Sequence, residues 1–201
     1  MHKLTTTHPL TEGVARFRRE AYPARAELFA QLATTHRPST LFISCSDARV
    51  VPELITGSEP GELFVIRTAG NLVPAYAPGP DGIAASIEYA VAVLGVTDIV
   101  VCGHSACGAM TALAESHDLG ALPTIADWLH HADAALARTT TAGVDALVRS
   151  NVRAQLANLV THPSVARALV QGTVTLHGWC YDIGSGAVEE LDVVNPFAAA
   201  A

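Results

Sequence analysis

Two hydrophobic periods run through the chain. Leu41-Phe42-Ile43, Leu63-Phe64-Val65-Ile66 and Ile99-Val100-Val101 are short, unbroken apolar runs bounded by turn residues, the pattern of strands covered on both faces. Between them the spacing becomes helical: Ile83, Ile87, Ala90, Val91 and Leu94 share one face, and Gly95 is placed to end that helix. Pro52 suits the first turn of another, because its missing N–H is not needed there, while three prolines and two glycines over 71–82 demand a loop. Strand, helix, strand, helix, strand in that order implies parallel pairing with right-handed crossovers, hence a doubly wound core. Downstream the pattern predicts helices over 106–115, 124–137, 144–160 and 164–170. A strand over 173–179 then turns through 182–186 into another over 188–193, a hairpin at the sheet edge. Upstream, Val14, Phe17, Tyr22, Leu28, Phe29 and Leu32 predict two short helices interrupted by Pro23. The expected fold is α/β: a mostly parallel sheet with flanking helices, an N-terminal helical arm and a C-terminal edge hairpin. It forms a single domain, with the arm over 1–37 and the α/β core over 38–201.

Composition narrows the partners. At 201 residues the chain is long enough to bury a core without disulfides, and no apolar run approaches the length that crosses a bilayer, so neither a membrane nor a disulfide framework is expected. The N-terminus lacks the apolar core of a secretion signal, which predicts a reducing, cytoplasmic setting where thiolates survive. Twelve Lys and Arg against 19 Asp and Glu, a net charge of −7 with no basic cluster, argue against nucleic acid. Only 15% of residues are charged while 50% are apolar, which fits a surface partly buried in an oligomer.

The candidate chemistry sits where strands end. The first apolar run stops at Cys45, and the third stops just before His104 and Cys107. Cys45 alone reads as a small buried hydrophobe. Two cysteines and a histidine at the carboxyl ends of parallel strands read instead as a zinc site, because two thiolates and an imidazole match the softness and tetrahedral geometry of that ion. His104 and Cys107 are three apart across a strand-to-helix turn, with Ser105 placed as a helix cap and Cys107 in the first helical turn, where unpaired N–H groups favour a thiolate. Cys45, Asp47 and Arg49 alternate, so an extended chain would present all three on one side. Asp47 as a permanent fourth ligand would close the site; paired with Arg49 it is held off the metal and leaves a position open. Cys102 and Cys180 match no ligand spacing and read as packed strand residues. His2, His8, His117, His130, His131 and His162 read as surface residues and His177 as a strand residue.

The pattern Cys45-x-Asp47-x-Arg49 followed by His104-x-x-Cys107 resembles that of the β-class carbonic anhydrases, Cys-Ser-Asp-Ser-Arg with His-Ser-x-Cys-Gly, except that Ala48 replaces the second serine. The resemblance extends from about Arg37 onward, through Pro60-Gly61-Glu62-Leu63-Phe64, Ala85-Ser86-Ile87-Glu88-Tyr89, Asn151-Val152 with Asn158-Leu159, and Leu176-His177-Gly178-Trp179-Cys180-Tyr181-Asp182. It implies reversible hydration of carbon dioxide to bicarbonate by zinc-bound hydroxide, with one Zn²⁺ per chain on Cys45, His104 and Cys107, and with Asp47 and Arg49 catalytic beside it. By the same resemblance Phe64 and Tyr89 line a small apolar substrate pocket and the Gly108 N–H helps orient substrate. The active site then lies near the interface of a homodimer, which assembles further in homotetramers. A carboxylate two residues from a ligand also predicts a pH switch, in which Asp47, once released by Arg49, becomes the fourth ligand in an inactive state at lower pH. Two positions depart from the family: His36 stands where many members carry a glutamine that bonds a substrate oxygen, and Phe42 stands where the bicarbonate-inhibited branch has tryptophan. The competing readings are hydrolysis of carbon disulfide or carbonyl sulfide on the same scaffold, and a non-catalytic zinc-stabilised binding protein with Asp47 locked on the metal.

Overall fold

Unbroken apolar runs can be strands only if both faces are covered, and the centre of the sheet is built that way. In the computed structural model, which describes residues 9–141 and 143–194, β1 (Thr40–Cys45) and β3 (Asp98–His104) are buried from their second residue to their last. They pair in parallel, with β2 (Leu63–Thr68) outside β1 and β4 (Thr175–Tyr181) outside β3, also parallel. β5 (Val188–Val194) runs antiparallel to β4 and completes the order β2-β1-β3-β4-β5. The expected mostly parallel sheet with an edge hairpin is therefore what forms.

The chain leaves β1 on one side to make β2 and returns to the other side to make β3, so the direction of winding reverses between β1 and β3. A crevice opens at the carboxyl ends of the strands at such a point, and ligands collect there in open α/β sheets. Ser44 pairs with Cys102, which sets Cys45 level with Gly103, one residue short of His104. The two strands thus deliver a thiol and an imidazole to the same crevice.

The chain forms two compact units that divide after His36. In the first, α1 (Pro9–Arg16) continues through a π-helical turn to Ala21, and a short 3₁₀ turn at Pro23–Arg25 leads into α2 (Ala26–Leu32). The rings of Phe17, Tyr22 and Phe29 hold this arm together at centroid separations of 5.4 to 6.1 Å. In the second unit α3 (Pro52–Thr56) opens on its proline and ends on Gly57, whose left-handed φ of 65° suits glycine. Then α4 (Gly82–Glu88) is capped by Asp81, widens into π-helical turns over Tyr89–Leu94 and stops at Gly95. The remaining helices are α5 (Gly108–Ala114), α6 (Pro123–Leu129), α7 (Asp133–Arg138), α8 (Val144–Val160) and α9 (Pro163–Val170). Among the described residues no helix is long and apolar enough to cross a membrane.

Side-chain alternation divides the core. Leu41, Ile43, Ile99 and Val101 pack with Ile87 of α4, Val152, Leu156 and Leu159 of α8, and Val165 and Leu169 of α9. Phe42, Val100 and Cys102 point the other way, against Trp179. A third cluster, of Cys45, Cys107, Met110, Leu129 and Leu147, lies where the strands end.

Four expectations change. The third strand does not stop at Val101 but continues through Cys102 and Gly103 to His104. Gly103 looks like a strand breaker in sequence, yet it is where α8 approaches the sheet: a Cβ there would lie 2.8 Å from Val152 Cγ2 and 2.9 Å from Val148 Cγ1. The helix expected over 124–137 breaks at a 3₁₀ turn, His130–Ala132, where the His131 carbonyl accepts a hydrogen bond from Gln155 Nε2 at 3.2 Å. His162 is buried rather than at the surface, with Nε2 3.0 Å from the Pro74 carbonyl. The helix expected from Ala106 begins at Gly108, because Ala106 takes a left-handed φ of 52°. His2 and His8 lie outside the described residues.

The close approach at Gly103 yields a test. Gly103→Ala forces two valines of α8 off the sheet, with an expected loss of about 1–3 kcal/mol in the stability measured by chemical denaturation. An unchanged midpoint and slope would show that α8 does not press on β3 there.

Candidate metal centre

β1 ends at Cys45 and the chain turns at once. The Val50 N–H donates to the Asp47 carbonyl at 3.0 Å and the Arg49 N–H to Asp47 Oδ1 at 2.9 Å. The chain from Cys45 to Arg49 is thus a tight turn, not the extended path on which alternation would place all three side chains together. Carboxylate and guanidinium still meet, because the aspartate side chain that closes the turn also faces the arginine. Arg49 grips it as a fork, Nε to Oδ1 at 2.9 Å and Nη2 to Oδ2 at 2.7 Å, and Nη2 also reaches the Ala106 carbonyl at 3.1 Å. Arg67, at the end of β2, donates from below to the carbonyls of Cys45, at 3.0 Å, and of Asp47, at 2.5 Å. No spacing rule pointed to Arg67; a cation whose partners are backbone carbonyls leaves no complementary charge to find in the sequence.

The second segment returns Cys107 to Cys45 by a kink. Ala106 takes the left-handed conformation that alanine normally avoids, at a cost of roughly 1–2 kcal/mol, and its carbonyl is the one held by Arg49. Cys107 therefore sits at the N-cap of α5 rather than inside its first turn. Ser105 is not that cap: its hydroxyl accepts from the Ile183 N–H at 2.9 Å and ties the turn to the start of the hairpin loop.

One ligand atom each from Cys45, His104 and Cys107 lies within 4.8 Å of the others, and all three residues are buried. His104 Nδ1 is 2.9 Å from the Ser105 carbonyl, so Nδ1 carries the proton and Nε2 presents a lone pair. That Nε2 is buried and has no hydrogen-bond partner among the described residues. Asp47 Oδ2 lies 3.9 Å from it. A buried lone pair beside two sulfurs is costly unless something electron-poor occupies the gap, and the donor set fits a soft divalent cation.

Protonation agrees. The closeness of the two sulfurs pulls the ionisation of Cys45 down and pushes that of Cys107 up, so the pair releases one proton readily and holds the second. A cation favours both thiolates and removes that conflict. Burial alone would lower the His104 pKa, but the neighbouring Cys45 sulfur and its charge outweigh burial and raise it. The Asp47 carboxyl is held well below the usual carboxylate range, first by the Arg49 side chain and then by the Arg49 N–H. Cys102 and Cys180 behave as the packed strand residues expected, pushed up to about 12 and about 11 by burial, and stay neutral thiols.

Two of the other expected site residues, Phe64 and Tyr89, lie apart from this cluster within the chain. The rings of Phe64 and Tyr89 meet at 6.1 Å, but Phe64 pairs with Leu41 while Thr68 pairs with Cys45. Four residues of strand separate those levels, about 13 Å. Gly108 opens α5 directly after Cys107, and His36 closes the N-terminal unit.

Sequence reasoning also passed over the polar face of α8. Asn151 Nδ2 donates to the Gly70 carbonyl at 3.0 Å, Gln155 Oε1 accepts from the Val73 N–H at 2.9 Å, and Asn158 Nδ2 donates to the Val73 carbonyl at 2.8 Å. These amides recur at helical spacing and fix the loop that follows β2. Gly70 within that loop donates its N–H to Cys45 Sγ at 3.4 Å.

A family model described as carbonic anhydrase matches residues 40–188. A carbonic anhydrase of Pseudomonas aeruginosa is 62% identical over 91% of this chain and 86% of its own. Among solved structures, the β-carbonic anhydrase CcaA superposes with a TM-score of 0.87 at 42% identity, covering 91% of this chain and 93% of its own. A structure described as one of two tetrameric β-carbonic anhydrases from Sordaria macrospora superposes with a TM-score of 0.77 at 31% identity, covering 91% and 95%.

The Asp47–Arg49 fork generates a pH prediction. A depressed folded-state pKa means that the pair's contribution to stability is complete above the unfolded carboxylate value, about 4, and is lost as pH falls toward the folded value. In Arg49→Gln the Asp47 carboxyl should titrate at higher pH, back toward that ordinary value, in carbon-detected NMR. A titration curve identical to the wild type would mean that Arg49 does not hold the carboxylate.

Proposed function

The chain belongs to the β-carbonic anhydrase family and is a carbonic anhydrase, and from that premise we propose that it hydrates carbon dioxide reversibly with one zinc ion per chain, held by Cys45, His104 and Cys107. The observation that carries this is the unpartnered, buried Nε2 of His104 within 4.8 Å of two cysteine sulfurs, next to a carboxylate already taken up by Arg49. Two thiolates and one imidazole suit zinc, and with Asp47 occupied they leave a coordination position open, the mark of a catalytic rather than a structural site. Zinc bound there supplies Lewis acidity, which makes water a nucleophile near neutral pH.

The protein's own groups do the rest. Asp47 stays ionised and accepts a hydrogen bond from the attacking water, fixing which lone pair faces carbon dioxide. Arg49 pins Asp47 by its fork and, through the Ala106 carbonyl, pins the turn that carries Cys107. The Gly108 N–H, at the start of α5, orients a substrate oxygen, and His36 occupies the place of the family's substrate-binding glutamine. Phe64 and Tyr89 line the apolar pocket from a second copy of the chain, since within one copy Phe64, whose ring meets that of Tyr89, lies about 13 Å along the strand from the level of Cys45. The enzyme on this reading is a homodimer or a homotetramer, the latter being the state named for the Sordaria macrospora relative. Thiolate ligands suit a reducing cytoplasm. Because Asp47 is ionised well below neutrality, an activity change near neutral pH is not its protonation. Such a change would come instead from Arg49 releasing Asp47, whose carboxylate would then serve a bound metal as a fourth, inactivating ligand.

Stopped-flow hydration of carbon dioxide by the zinc-loaded, reduced protein tests the proposal. Fast, pH-dependent hydration is expected, with roughly 100-fold loss in Asp47→Ala and loss of both zinc and activity in Cys45→Ser. A protein that binds one zinc per chain yet hydrates no carbon dioxide at any pH would overturn it, and hydrolysis of carbon disulfide by the same sample would then be the reaction.

A further inference from the structure

We propose that Trp128 is a positioning residue for the Cys45 sulfur, acting through the single peptide group that joins Ala69 to Gly70. The indole Nε1–H of Trp128, on α6, donates to the Ala69 carbonyl at 2.9 Å, and the N–H of the same peptide, that of Gly70, donates to Cys45 Sγ at 3.4 Å. A trans peptide is planar, with its C=O and N–H directed oppositely, so the two bonds pull on opposite ends of one rigid unit. Rotation that breaks one breaks the other. The donor chain indole N–H, carbonyl, peptide N–H, sulfur is also polarised along its length, so the first bond strengthens the last.

The local chain does not hold this peptide in place by itself. Gly70 has a left-handed φ of 72°, and a Cβ there would lie 3.0 Å from Ala109 Cβ and 3.3 Å from Met110 Cε. Only glycine fits, and glycine imposes no preference of its own. The orientation comes from outside, from Trp128 on one carbonyl and from Asn151 Nδ2 on the next, that of Gly70, at 3.0 Å. A hydrogen bond to a ligand sulfur withdraws electron density from it, and such outer contacts set how strongly the ligand donates to a metal. This inference rests on the metal centre proposed above.

The test uses the Co²⁺-loaded protein, whose sulfur-to-cobalt charge-transfer absorption reports the electron density on the cysteine ligands. Trp128→Phe deletes the N–H and keeps an aromatic ring. The expected result is a shift of that absorption to longer wavelength, as the Cys45 sulfur becomes electron-richer, with metal retention against a chelator lowered about 10-fold. Trp179→Phe, on the sheet face, should leave the absorption where it is. Should Trp128→Phe fold poorly, site-specific replacement of the indole by benzothiophene, which keeps the bicyclic shape and removes only the donor, is expected to give the same shift. A folded variant whose absorption superimposes on the wild type would overturn the inference, leaving Trp128 a packing residue. Absence of any charge-transfer absorption in the wild type would instead overturn the metal centre itself, and this inference with it.

Discussion

Burial of two sulfurs and an imidazole nitrogen in one small space is the constraint on which the rest of the structure depends. Ionised sulfur away from water is expensive, and a second thiolate beside the first more so, as the opposed ionisations of Cys45 and Cys107 show. The sheet supplies the meeting point, since reversal of winding between β1 and β3 opens a crevice at the carboxyl ends of two adjacent strands. The left-handed kink at Ala106 then brings the third donor back. An arrangement that costs backbone strain and buried polarity in this way suits a site whose donors could hold a metal ion between them.

Around that centre the polar groups form a frame. Arg49 joins the Asp47 turn to the Cys107 turn, Arg67 joins the Asp47 turn to β2, and Ser105 joins the β3 exit to the hairpin. The amides of α8 hold the loop after β2, and Trp128 holds the peptide that faces Cys45. Nearly every one of these bonds ends on a backbone carbonyl or N–H. The frame therefore fixes main-chain positions at the ends of the strands, which is how a site made of turns acquires the rigidity of a sheet.

Much of this was legible in the chain because it is local. Apolar runs without alternation marked β1, β2 and β3, and the short spacings of Cys45, Asp47 and Arg49, and of His104 and Cys107, marked the donors. Legibility failed where the cause lies far along the sequence. Gly103 reads as the end of a strand until Val148 and Val152 of α8 are seen against it. His162 reads as a surface residue until the loop it bonds, more than eighty residues earlier, is in place. Alternation puts Cys45, Asp47 and Arg49 on one side only while the chain stays extended, whereas an aspartate two residues before an available N–H closes a turn instead.

The most direct measurement is zinc-edge X-ray absorption on the metal-loaded protein at mildly alkaline pH, wild type beside Asp47→Ala. The account predicts two sulfur neighbours at about 2.3 Å, with lighter atoms completing the shell, and spectra that superimpose, because Arg49 keeps Asp47 off the metal. A sulfur count other than two, or a first shell that changes when the Asp47 carboxylate is removed, would contradict it.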